Sequence, residues 1–245
     1  MRLSRSLLLL TLLTALLGQG CVSTDRRDAD PEKAAKIYAD LGLEYLRQGN
    51  LELALVKLER SLELDGNNAD AHHYIAEVYN QLGKAELAQK HYLEAVSLDD
   101  ANPMLLNNYG AFLCEQGRFE ASEEYFLRAA ALPRYRTPEL AYENLALCAL
   151  QSDNTARAEE YFRKALKLRP GLPQSLYQMA RLTYQQEQYL TARAFIQRLH
   201  DIGQTRQSLQ LAIRIEEALG DADAADAYRD ALSSQFPDAV QGTQP

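Results

Sequence analysis

The stretch 107–132, NNYGAFLCEQGRFEASEEYFLRAAAL, places a Tyr-Gly pair ahead of a Gly-Arg break and then returns to small and aromatic residues. Gly117, in the break, tolerates the left-handed backbone that ends a helix. Small residues such as Gly110 and Ala129 let two helices approach closely, and Phe126 is large enough to fill the space between them. The order therefore predicts two short helices folded against each other.

The same order recurs along the chain with a period of about 34 residues, which is the period of the tetratricopeptide repeat. Gly42 and Ala76 stand where Gly110 stands in the quoted stretch, and Tyr92 and Phe162 stand in the place of Phe126. One repeat cannot bury its apolar faces alone, so stacked neighbours are needed to build a continuous core. The sequence thus predicts an all-α fold, a right-handed superhelical solenoid of six tetratricopeptide helix-turn-helix repeats. We place these repeats at residues 35–68, 69–102, 103–136, 139–172, 173–205 and 206–239.

The composition is that of a folded and acidic protein. Of the 245 residues, 47% are hydrophobic and 24% are charged, and the formal net charge is −8. Binding to nucleic acid needs a basic surface that neutralises phosphates, and no basic stripe occurs here. We therefore expect no nucleic-acid partner.

The N-terminal residues MRLSRSLLLLTLLTALLGQGC have the organisation of a secretory signal peptide. Two arginines precede a short apolar run, Ser6–Leu17, and small residues follow it. We assign residues 1–20 to the signal peptide. The position of Cys21 resembles the bacterial lipoprotein signal, which implies that this cysteine carries acyl chains, palmitate among them, and becomes the mature N-terminus. A cleaved signal followed by a structural cysteine is the alternative.

The segment after the cysteine lacks apolar periodicity and is predicted to be a flexible, lipidated tether over residues 21–33. In lipoproteins of this type, an Asp after the cysteine resembles an inner-membrane retention signal. Val22 stands there instead, which favours the periplasmic face of the outer membrane. At the other end of the chain, residues 240–245 are predicted to be a flexible tail.

No pattern of catalytic or metal-binding residues occurs in the sequence. Cys114 and Cys148 fall at positions 12 and 10 of adjacent repeats, so we expect two separate buried thiols, with a bridge between them as the alternative. The histidines lack the spacing of metal ligands; they are His72, His73, His91 and His200. We therefore expect no catalytic residue, no metal, no cofactor and no enzymatic activity, which leaves a protein-binding surface.

That surface is expected on the first helices, which line the concave side of a tetratricopeptide solenoid at positions 2, 5, 9, 12 and 13 of each repeat. The candidate protein-binding residues are Lys36, Ala39, Leu43, Leu46, Arg47, His73, Asn107, Leu147 and Leu150. In repeat five the same positions are Gln174, Tyr177, Arg181, Tyr184 and Gln185. Exposed leucines there would seat an apolar segment of a partner, and the alternative is that they pack against the neighbouring helix. The Lys/Asn set with which chaperone-adaptor domains clamp a terminal carboxylate does not appear across repeats one to three.

Several segments carry a likeness to a known family, above all LLNNYGAFL at 105–113 and EQGRFE at 115–120, with ENLAL at 143–147 and AEEYF at 158–162. Together with the lipoprotein signal and six repeats, they resemble the type IV pilus biogenesis lipoproteins of the PilF/PilW family. The resemblance implies a pilotin, which escorts the pilus secretin to the outer membrane and supports its assembly into a multimeric pore.

Two other functions stay open at this point. One is a periplasmic scaffold for a different envelope assembly, such as cytochrome c maturation or cell-wall synthesis. The other is a thiol- or metal-dependent enzyme that uses Cys114, Cys148 and the histidines. For the pilotin, we expect a monomer whose partners are the secretin subunit and, through its lipid, the outer membrane.

Overall fold

The computed structural model describes residues 30–237, which form twelve helices and no strand. The predicted signal peptide, the predicted lipidation site Cys21 and the predicted tail lie outside these residues. The helices are α1 (Pro31–Arg47), α2 (Leu51–Leu64), α3 (Ala69–Gln81), α4 (Ala85–Leu98), α5 (Pro103–Glu115), α6 (Phe119–Ala131), α7 (Pro138–Gln151), α8 (Thr155–Leu168), α9 (Pro173–Gln185), α10 (Tyr189–His200), α11 (Arg206–Leu219) and α12 (Ala222–Gln235). They pair in chain order, α1 with α2 through α11 with α12, which gives an all-α tetratricopeptide solenoid.

The turn inside the repeats uses a left-handed residue. Gly49, Gly83 and Gly117 have φ of 74°, 69° and 71° and close the turns of the first three repeats, a conformation that costs glycine little. The fourth and fifth turns place Asp153 and Glu187 there, at φ 56° and 61°. The turn predicted from Gly117 is therefore kept even where glycine is absent.

Close approach between paired helices occurs where the small residues predicted it. A β-carbon on Gly42 would clash with the Leu58 side chain, and one on Gly110 would come within 3.1 Å of Phe126. A buried hydroxyl also joins α5 and α6, because Ser122 Oγ donates to the Gly110 carbonyl at 2.8 Å. Small residues on the first helix and large ones on the second thus set the distance between them.

The first helix begins earlier than the sequence suggested. Residues 31–33 were assigned to the tether, but α1 starts at Pro31. Proline is favoured in the first turn of a helix, and the Asp30 side chain accepts a hydrogen bond from the backbone N–H of Lys33. Residues 31–33 therefore belong to the first repeat and not to the predicted tether.

Candidate protein-binding groove

The first helices of consecutive repeats lie side by side along one face of the solenoid. α1 contacts α3, α5 contacts α7, and α9 contacts α11, whereas second helices make no comparable contact with one another within residues 30–237. Helices that contact one another in this way line the inner side of a curved solenoid. The surface formed by α1, α3, α5, α7, α9 and α11 is called the groove below.

Polar side chains join neighbouring first helices along the groove. Asn144 Nδ2 donates to Asn107 Oδ1 at 3.2 Å, which links α7 to α5. The backbone N–H and the hydroxyl of Ser175 both donate to Glu143 Oε2, at 3.0 and 2.5 Å, and link α9 to α7. Asn107, predicted as a binding residue, is half-buried, and its side-chain oxygen is already engaged between repeats.

The groove residues predicted in repeat one separate into three kinds. Lys36 and Arg47 are exposed, and Leu43 is half-buried at the edge of the core cluster of this repeat. Ala39 and Leu46, predicted to face a partner, are instead buried in that cluster, with relative exposures of 1% and 8%. Both are corrections: because first helices pack side by side, these positions face the next repeat and not the open groove.

His73 was also predicted to face the groove, and it is buried at 1% exposure. Its Nε2 lies 3.6 Å from Glu77 Oε1 and 3.1 Å from Asn108 Nδ2, and Tyr92 Oη donates to Glu77 Oε1 at 2.6 Å. Burial works to raise the pKa of Glu77, but the nearby His73 side chain and the hydrogen bond from Tyr92 outweigh it, and the pKa is lowered. The set is a polar link among α3, α4 and α5, and His73 is inaccessible to a partner.

Leu147 and Leu150 in repeat four are half-buried and pack against the largest core cluster. Tyr177 and Tyr184 of repeat five are also half-buried and pack against that cluster. Apolar side chains that are only half covered therefore continue along the groove from α7 onto α9. Arg214, at the ninth position of repeat six, lies over the Tyr184 ring at 5.8 Å. Extending the position rule to the divergent sixth repeat would have found it.

Cys114 and Cys148 are bridged, which corrects the expectation of two separate thiols. Their Cα atoms lie 5.8 Å apart on α5 and α7, within the range of protein disulfides. The difference in repeat position does not prevent a bridge. Two side chains that face each other from neighbouring helices lie on opposite sides of their own helices. Positions 12 and 10 of the repeat place Cys114 and Cys148 on opposite sides in this way. The bridge fixes repeat three to repeat four.

Residues 30–237 contain neither a metal-binding cluster nor a helix that could span a membrane. They contain no group of three or more His, Cys, Asp or Glu side chains placed to hold a metal ion. Nor does any helix in this part of the chain have the length and apolar character needed to cross a membrane.

Comparisons with known proteins agree with this architecture. Models described as tetratricopeptide repeat match residues 69–102 and 100–171, and one described as TPR repeat matches 42–83. The type IV pilus assembly protein PilF of Pseudomonas aeruginosa is 35% identical over 242 residues, covering 95% of this chain and 94% of PilF.

Two solved structures extend the likeness to three dimensions. The structure of Pseudomonas aeruginosa PilF superposes with a TM-score of 0.75 at 37% identity, covering 84% of this chain and 94% of that one. The structure of PilW, described as a widely conserved type IV pilus biogenesis factor, gives a TM-score of 0.71 at 30% identity over 83% and 94% of the two chains.

Proposed function

The chain belongs to the family of type IV pilus biogenesis proteins that includes PilF and PilW, and we propose that within it the protein acts as a lipid-anchored pilotin. In this role it binds the secretin subunit, brings it to the outer membrane and promotes its multimerisation, which supports pilus biogenesis and twitching motility. It is a scaffold and not an enzyme, as expected of a tetratricopeptide protein of this family.

The observation that carries the proposal is the groove with its half-covered apolar side chains. Leu43 lies between the exposed Lys36 and Arg47, and Leu147 and Leu150 lie further along. Half-buried leucines at a concave surface gain apolar contact when a partner segment covers them. Cations beside Leu43 suit an amphipathic segment with some acidic character.

The lipid anchor is the second part of the proposal and is supported by the sequence around Cys21. Each buried CH₂ of an acyl chain contributes about 0.8 kcal/mol, so several chains on one cysteine would hold the protein at the membrane. The eight residues between Cys21 and Asp30 can span at most about 30 Å. An anchor at Cys21 would therefore hold repeat one, with Leu43, close to the membrane where a secretin pore must form.

The experiment is affinity capture of the full-length lipidated protein from detergent-solubilised cell envelopes, with mass spectrometry of the proteins that co-elute. Matched captures use Leu43→Asp, in the groove, and Val56→Asp, on α2 of the same repeat and 51% exposed. We expect the secretin subunit with the wild type and with Val56→Asp, and much less with Leu43→Asp. Capture of cytochrome c maturation or cell-wall synthesis proteins without secretin would favour the other envelope scaffold instead.

A further inference from the structure

The groove face of α9 carries polar atoms that the fold leaves unused. The buried stripe of this helix is Ser175, Leu176, Met179, Ala180, Leu182 and Thr183. Gln178 and Arg181, between Tyr177 and Tyr184, lie on the opposite stripe and are half-buried. Because they stand three residues apart, their side chains are neighbours on the helix surface.

Both side chains hold a buried atom without a hydrogen-bond partner among the described residues. These atoms are Gln178 Oε1, an acceptor, and Arg181 Nε, a donor. A buried polar group left unpaired is destabilising, and more so when the group is charged. The Nη nitrogens of Arg181 are not buried in this way and have no partner among the described residues either, so they are the atoms open to a ligand.

Arg181 also has no acidic partner, in contrast to Arg193 on the next helix, α10. Arg193, equally half-buried, is paired with Glu216 and lies 3.1 Å from Asp221 Oδ2. No salt bridge to Arg181 or Arg214 occurs within residues 30–237, although the chain carries 34 acidic and 26 basic side chains. Two unpaired guanidinium groups at the ninth positions of consecutive repeats make this end of the groove locally cationic in an acidic protein.

Aromatic surface lies beside these charges. The guanidinium of Arg214 is 5.8 Å from the centre of the Tyr184 ring, which holds it against the groove. Tyr177 and Tyr184, with Leu147 and Leu150 on α7, are half covered by the core and half open. The site therefore combines an apolar floor with an unpaired cation.

We propose that the groove across repeats four to six binds an extended protein segment in which an Asp or Glu side chain is flanked by apolar or aromatic residues. The carboxylate pairs with Arg181, whose planar guanidinium can hold both of its oxygens. An apolar side chain of the segment lies on Tyr184. The inference rests on the proposed function only in taking the groove as a protein-binding surface, and it adds a second contact region far from Leu43.

The experiment selects from a random decapeptide library displayed on phage against the purified soluble protein, so no particular partner is assumed. Wild type is compared with Arg181→Gln and with Arg118→Gln, which removes the same charge from an exposed position at the start of α6. The most enriched peptide and its Glu→Gln counterpart, both amidated, are then titrated by fluorescence anisotropy. Arg214→Gln serves as a second groove variant, and thermal melts confirm that each variant is folded.

We expect peptides selected on wild type and on Arg118→Gln to be enriched in Asp or Glu beside apolar residues, and that enrichment to vanish on Arg181→Gln. The Glu peptide should bind at least tenfold more tightly than its Gln counterpart. Arg181→Gln should remove this difference, and Arg214→Gln should reduce it several-fold. No acidic enrichment, or a preference that survives both groove variants, would overturn the proposal, whether or not the protein captures a secretin.

Discussion

Phe126 lies directly against Gly110, so that a β-carbon on this glycine would stand 3.1 Å from Phe126 Cδ1. The contact joins α5 to α6 at a position where Gly42 and Leu58 make the same approach in repeat one. The distance between the two helices of a repeat is thus set by one missing side chain and one large one.

Gly110→Leu is expected to destabilise the protein, because a leucine would have to displace Phe126 or separate the helices. Overpacking of this kind costs roughly 1–3 kcal/mol. Gly203→Leu is the matched control, since a β-carbon at Gly203 meets no atom within 4 Å. Chemical denaturation of both variants measures the free energies of unfolding, and equal values would show that the α5–α6 contact is not close.

Loss of the Cys114–Cys148 bridge is expected to lower the free energy of unfolding by about 2–4 kcal/mol, the range for a disulfide that closes a loop of this size. The test compares thermal melts of the soluble Cys21→Ala protein with and without reductant. A variant that also carries Cys114→Ala and Cys148→Ala should be insensitive to reductant. Two titratable thiols in the unreduced Cys21→Ala protein would contradict the bridge.

The free energy of unfolding should decrease as the pH is lowered, because the fold disfavours protonation of His91. Its Nδ1 lies 3.1 Å from Nδ1 of His72, and burial, followed by the charges of His72 and Lys90, lowers the pKa of His91 from 6.5 to about 4. The unfolded chain therefore binds a proton that the folded protein resists, and stability present at neutral pH is lost as pH falls from about 6.5 toward 4.

The measurement is urea denaturation of wild type and His91→Gln at pH 7 and pH 5. Burial also lowers the pKa of His200, so the comparison with the variant is needed to isolate His91. Wild type should lose about 1 kcal/mol more than the variant between the two pH values, after allowance for solvent screening. An equal loss would show that His91 is protonated as easily in the fold as outside it.

The lipid anchor is tested by Cys21→Ala, which should release the mature protein from outer membranes into the soluble periplasmic fraction. The helical circular dichroism should be unchanged, because α1 begins ten residues further on, at Pro31. Sedimentation of the variant with outer membranes from a strain that lacks the secretin would contradict anchoring through this cysteine.

The sequence pattern was sufficient for the fold because its spacing reflects contacts inside one repeat. Gly110, Phe126 and the left-handed turn at Gly117 all lie where their order predicted. It was less reliable for the groove, because exposure there depends on the neighbouring repeat. Leu46 and His73 share the positions of half-buried residues such as Leu150 and Asn107 in other repeats, yet they are fully covered in their own.

The cysteine bridge escaped the sequence for a related reason. Cys114 and Cys148 belong to different repeats, and their contact depends on how far α7 is displaced along α5 after the two-residue insertion near Pro138. The unpaired state of Arg181 is also invisible in the sequence, since it is decided by where every carboxylate comes to lie.

Groove binding of the secretin is the central claim, and Leu43→Asp is the variant that tests it. Leu43 is half-buried, so the fold should tolerate the change, whereas a carboxylate there must be desolvated against the partner. We expect secretin binding to weaken by about 1–3 kcal/mol. Leu46→Asp differs in kind, because it places a charge in the core and should lower the melting temperature itself.

The most direct measurement is the amount of secretin multimer in outer membranes from cells that carry wild type, Leu43→Asp or the exposed control Val56→Asp, with thermal melts of each protein. Groove binding of the secretin predicts few multimers with Leu43→Asp, normal multimers with Val56→Asp, and a cooperative melt of a folded protein for both. Normal multimers with a folded Leu43→Asp protein would contradict it.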